Sequence, residues 1–129
     1  MDIKGIIFDK DGTLMDFEAF WVTVSRAAIA DILKETNIDA DVEKVLGCLD
    51  VEDGVADING ILAQDPFPVM GRAINECLAQ YGCKLSDEEM TDLTVKAYHG
   101  NIEKGIVAPP CNNIVEVMER LKGMGIKLG

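Results

Sequence analysis

A chain of 129 residues is about one ordinary domain, and an apolar content of 48% is that of a globular protein, which excludes intrinsic disorder. With 12 Lys and Arg against 23 Asp and Glu, the formal net charge is -11; nucleic acid and anionic membrane are excluded as partners, because both demand a basic face. The same charge opposes unaided binding of a phosphate ester, so phosphate chemistry here requires a metal cation.

Residues 1–8 are predicted as the first strand. Ile6, Ile7 and Phe8 form an apolar run with β-branched character, the composition of a strand buried on both faces. The run stops on Asp9-Lys10-Asp11-Gly12-Thr13-Leu14-Met15-Asp16, with a turn predicted over Asp9–Met15. In an open parallel α/β sheet, ligands sit at the carboxyl ends of strands, so a strand that delivers Asp9 and Asp11 there is built like an active site. Two residues apart, the acids lie on the same side of an extended chain. Gly12 permits the tight turn, and Thr13 adds a hydroxyl. The chemistry suggested is phosphoryl transfer through a covalent aspartyl phosphate, one carboxylate acting as nucleophile and the other as general acid and base. Two acids beside a phosphate repel, and a divalent cation, Mg2+, offsets that charge. Asp-x-Asp-Gly by itself also fits an acidic turn; the strand before it and the Thr-Leu-x-Asp continuation go beyond that reading. A calcium loop of the EF-hand kind needs Gly at position 6 and Glu at position 12, and counting from Asp9 those places hold Leu14 and Phe20.

Phe8-Asp9-Lys10-Asp11-Gly12-Thr13-Leu14-Met15-Asp16 resembles the first motif of the haloacid dehalogenase superfamily, in its phosphoglycolate-phosphatase-like branch. The resemblance implies an α/β fold: a Rossmann-like core with a helical cap inserted just after the first motif. It also implies Asp9 as nucleophile and Asp11 as general acid/base, with the Asp9 carboxylate and the Asp11 carbonyl on Mg2+. Gly12 and Thr13 are the expected phosphate-binding neighbours. Asp at position 11, where the family's ATPases carry Thr and its dehalogenases usually Tyr, favours phosphatase or phosphomutase chemistry on a small phosphorylated metabolite.

Asp16 is a predicted N-cap for a long helix through about Thr36, with Phe17, Phe20, Trp21, Val24, Ala28 and Ile32 on one apolar stripe. That stripe is first of all core; Phe20 and Trp21 are the members near enough to the turn to line a pocket. A short helix is expected from Asp41 to Leu49. The acidic segment Asp50–Gly60 reads as solvated turns rather than metal ligands. Pro66 and Pro68 set up a further helix whose apolar face runs from Met70 through Ile74, Cys77 and Leu78 to Tyr81, with Gly82 ending it. Ser86 and Glu89 form a capping box, and Leu85 and Met90 a hydrophobic staple, for a helix that carries Leu93, Ala97 and Tyr98 inward. His99, the single histidine, sits near its end and is expected to meet the helix dipole there. Residues 16–108 thus read as a helical bundle in the position of the implied cap.

Pro109-Pro110 marks a boundary. A helix follows with Ile114, Val117, Met118 and Leu121 on one side, then an apolar strand from Ile126 expected to lie parallel to the first. Residues 1–15 and 109–129 are the implied core. The family's phosphate-binding Ser or Thr, its Lys and its paired acids are expected beyond Gly129, so the chain is expected to be truncated before the second motif. A core remnant of under about 40 residues rarely folds unaided, hence a homodimer, through strand exchange, is expected. Cys48, Cys77, Cys83 and Cys111 lack zinc-ligand spacing and read as buried thiols of a reducing cytoplasm. No segment has the length of a membrane span. The alternative to a phosphohydrolase is an inactive, truncated binding or interaction module of the same ancestry.

Overall fold

The computed structural model describes residues 2–129; Met1, in the predicted first strand, lies outside them. The chain forms β1 (Gly5–Ile6), α1 (Thr23–Glu35), α2 (Val42–Gly47), β2 (Val51–Glu52), β3 (Val55–Ala56), α3 (Ile61–Gln64), α4 (Phe67–Ala79), α5 (Asp87–Asn101), α6 (Ile114–Gly123) and β4 (Lys127–Leu128). It is a mostly helical molecule with a small parallel sheet. Gly5 pairs with Lys127 and Ile6 with Leu128. The ladder reaches past the strand proper, because the Phe8 N–H donates to the Gly129 carbonyl at 2.7 Å.

The helices build the core. α5 packs against both α1 and α4, and α2 packs against the same two helices. Ile29, Ile32, Leu46, Leu49, Ile74 and Leu78 are fully buried there, each such side chain worth roughly 1.5–3 kcal/mol of transfer free energy. α4 and α5 approach so closely at Gly71 that a Cβ there would lie 2.5 Å from Thr91 Oγ1 and 2.7 Å from its Cα. The capping box of α5 is formed in both directions, Glu89 N–H to Ser86 Oγ and Ser86 N–H to Glu89 Oε2. Those two hydrogen bonds hold the Glu89 carboxyl below its usual range. Interior polar groups are paired: Tyr98 Oη meets Ser25 Oγ at 2.7 Å, and Asn101 Nδ2 donates to Asp31 Oδ2 and to the Ala97 carbonyl. The bundle's entry and exit run side by side, with Asp16 N–H on the Ala108 carbonyl at 2.7 Å and Ile106 N–H on the Ala19 carbonyl at 3.2 Å.

Several expectations are corrected. The first strand is not buried on both faces: Ile7 is 90% exposed, while Ile6 and Phe8 are half-buried. Its regular pairing covers two residues, Gly5 and Ile6, and among the described residues β4, itself two residues long, is its one neighbour. The long helix opens as a π-helical turn, Glu18–Val22, before α1 begins. Asp41 caps α2 rather than belonging to it, and α2 stops at Gly47. The acidic segment holds a hairpin, β2–β3, which Asp53 and Gly54 join with φ of 49° and 79°. An Asp-Gly pair with both φ values positive is the turn that matches strand twist. Asp50 and Asp57 spend their carboxylates locally, on the N–H groups of Ile61 and Asn59. All four cysteines are free thiols, but none is buried as expected: Cys48, Cys77 and Cys83 are half-buried and Cys111 is exposed. Burial, reinforced by the neighbouring Cys77, pushes the Cys48 thiol up to about 12.

Candidate active site

The turn after β1 is organised by one carbonyl. Lys10 O accepts from Leu14 N–H at 2.9 Å, from Met15 N–H at 3.0 Å and from Thr13 N–H at 3.4 Å, while Gly12 N–H returns to the Met15 carbonyl at 2.8 Å. Gly12 takes φ 77°, open to glycine and costly for other residues. Met15, 7% exposed, buries the far end of the loop. Asp16 Oδ1 then accepts the Ala19 N–H at 2.8 Å, the N-terminal cap expected of it. One compact loop therefore carries Asp9, Asp11, Gly12 and Thr13. Thr13 is half-buried; Asp9, Asp11 and Gly12 are exposed.

The two acids have different surroundings. Among the described residues, no side-chain donor reaches the Asp9 carboxylate. Asp11 Oδ1 accepts from the indole Nε1 of Trp21 at 3.2 Å and lies 3.7 Å from Lys10 Nζ. The same ammonium sits 5.6 Å from the centre of the Trp21 ring, and Phe20 meets that ring edge-on at 5.0 Å. Trp21 belongs to the π-helical turn, whose wider winding departs from the 3.6-residue phase and is a frequent feature of functional sites.

Asp11 also opens onto a cavity of about 260 Å³ between the turn and the bundle. Phe17, Trp21, Asp65, Phe67, Met70 and Tyr98 are among its walls. Of the candidate acids and phosphate-binding residues, Asp11 lines this space and Asp9, Gly12 and Thr13 do not. Trp21 lines it and Phe20 does not. His99 is exposed, its ring 6.1 Å from that of Phe67, and is not part of the wall. Asp65, Phe67 and Tyr98 were not legible as site residues. The available signal was indirect: a Tyr on the inward face of α5 must bring its hydroxyl to a partner, and it finds Ser25. Burial pushes the Tyr98 hydroxyl up to about 12, against a smaller downward pull from Ser25.

The acid-bearing loop at the carboxyl end of a strand, with a parallel partner strand beside it, is the architecture that the first motif implied. A model of the haloacid dehalogenase-like hydrolases matches residues 3–129. The chain belongs to that family. No curated protein and no solved structure matches it. In this haloacid dehalogenase-like hydrolase, no group of three or more His, Cys, Asp or Glu among the described residues is arranged to hold a metal ion. Nor is any helix among them long and apolar enough to cross a membrane.

Proposed function

We propose that this hydrolase is a Mg2+-dependent phosphohydrolase of the phosphoglycolate-phosphatase-like branch, cytoplasmic, acting on a small phosphorylated metabolite. Residues 16–108 are its cap, over a core built from residues 1–15 and 109–129. The observation that carries the reading is the placement of Asp11, which borders a walled cavity and keeps an indole N–H on its carboxylate. The side-by-side entry and exit of the bundle, at Asp16 and Ala108, support the insertion.

Asp9, with no protein donor engaging it among the described residues, attacks phosphorus. The bond to the ester oxygen breaks, and Asp11 delivers its proton to that oxygen, releasing an alcohol. Water then attacks the aspartyl phosphate while Asp11 takes its proton, which restores both carboxyl groups and releases inorganic phosphate. Trp21 holds Asp11 in orientation. Thr13 presents its side-chain hydroxyl to the phosphate, and Gly12, whose own N–H stays on the Met15 carbonyl, leaves the surface of the loop open for the phosphate to approach.

The donor set suits Mg2+, a hard cation that needs only one or two carboxylates and keeps waters and substrate oxygens as its other ligands. The Asp9 carboxylate and the Asp11 carbonyl, both on the exposed loop, would hold it. When bound, it would neutralise the charge of the phosphate against the two acids.

The test is release of inorganic phosphate from a panel of small monoesters, with Mg2+ and after chelation. Asp9→Asn is expected to lower turnover by at least about a thousandfold, since it removes the attacking oxygen and Asp11 is committed to proton transfer. Turnover that survives both Asp9→Asn and chelation would falsify this mechanism.

A further inference from the structure

We infer that the cavity beside Asp11 receives the alcohol portion of the substrate and selects one that carries an ammonium group on an apolar body. This rests on the phosphohydrolase reading: the acid that protonates the leaving oxygen also borders the space into which the leaving group must extend. The selectivity follows from what the walls offer. Phe17, Trp21, Phe67 and Tyr98 supply aromatic surface, and the charged groups in the wall are Asp11 and Asp65. The side-chain donors are already engaged, the Trp21 indole N–H by Asp11 and the Tyr98 hydroxyl by Ser25.

What remains unpaired in the cavity is therefore acceptor. Asp65 accepts no side-chain hydrogen bond among the described residues, and its exposed carboxylate stands at the mouth, one residue before the N-cap of α4. Its charge offsets the positive end of that helix, so an anionic ligand gains little there. Lys10 is outside the wall, its ammonium 3.7 Å from Asp11. A carboxylate-bearing alcohol, glycolate included, would enter beside the unpaired Asp65 with no cation in the wall. An ammonium would meet the unpaired Asp65 carboxylate and four aromatic rings, the surroundings that favour cations. The branch resemblance lies in the catalytic loop; the substrate preference lies in this cavity.

Trp21 is the single tryptophan of the chain, so its emission reports on the cavity without any turnover. The experiment titrates the protein with benzylammonium, benzyl alcohol and benzoate at matched ionic strength, following that fluorescence. Benzylammonium is expected to saturate at a concentration at least about tenfold below benzyl alcohol, the order expected for a partly desolvated cation among aromatic rings and carboxylates. Benzoate is expected to give no saturable change. Asp65→Asn, at an exposed position, is expected to keep the helical circular dichroism and to narrow the ammonium preference several-fold. Equal binding of benzoate and benzylammonium, an unchanged preference in Asp65→Asn, or no saturable change with any of the three would overturn the inference. The two readings separate: turnover of small monoesters without ammonium preference sinks this inference alone, and ammonium preference without turnover sinks the phosphohydrolase mechanism alone.

Discussion

α4 and α6 carry the same kind of apolar spacing and meet opposite fates. α4 buries Met70, Gly71, Ile74 and Leu78. α6 buries none of its residues: Val115 and Val117 are 61% and 45% exposed, and Ile114, Met118 and Leu121 are half-buried. The difference is one of partners. α4 packs along the length of α5 and also against α2 and α3, whereas the contacts of α6 are chiefly with the two-residue strand β4. An amphipathic helix declares which face seeks cover, and the tertiary structure decides whether that face finds it. The stability of this molecule is therefore concentrated in the bundle, while the acid-bearing loop hangs between the bundle and the thin β1–α6–β4 layer.

The largest expected effect tests that division directly. Ile74→Ala, at a fully buried site, is expected to lower unfolding free energy by about 2–5 kcal/mol in urea titrations, and Leu121→Ala in α6 by less than about 1.5 kcal/mol in the same experiment. Equal losses would abolish the contrast. A paired glycine test comes next. Gly71→Ala drives a methyl into the Thr91 backbone and is expected to cost about 1–3 kcal/mol, whereas at Gly123 a Cβ meets nothing within 4 Å and Ala there is expected to be neutral or to stabilise by up to about 1 kcal/mol.

The smallest effect is a pH dependence confined to the bundle. The Tyr98 hydroxyl is pushed up from its ordinary 10.0 to about 12 by burial. A raised native pKa means that the folded state holds this proton more tightly than the unfolded chain does. Its contribution is thus fully present below pH 10 and is lost as pH rises from there through about 12. Tyr98→Phe is expected to cost about 1 kcal/mol at neutral pH through the unpaired Ser25 hydroxyl and to reduce the alkaline decline. A decline identical to wild type would assign it to Cys48, whose thiol is raised from 9.0 to about 12.

Local chemistry was legible in the chain wherever its partners lie close by in sequence. The capping box at Ser86, the cap at Asp16, Pro68 in the first turn of α4 and the Gly12 turn depend on residues within about one helical turn, and all are present. The hairpin turn at Asp53-Gly54 is equally local, yet the acidic residues around it give that segment the composition of a solvated loop. The π-helical turn at Glu18–Val22 has no signature in a 3.6-residue apolar spacing, because its winding is wider. Phe67, Asp65 and Tyr98 could not be joined to Asp11 by any spacing rule, since the cavity draws on segments that are far apart in the chain.

The amino-acid sequence by itself determined the family, the acid-bearing loop after the first strand and the helical character of the middle of the chain. Each rests on short-range patterns: an apolar run ending in Asp-Lys-Asp-Gly-Thr, periodic apolar faces, and capping residues. Tertiary structure alone decided which of two similar amphipathic helices is buried, that Ile7 faces solvent, and that Asp11 rather than Asp9 borders the cavity. Those outcomes depend on which distant surfaces meet, and the burial of a side chain is a property of the pair in contact.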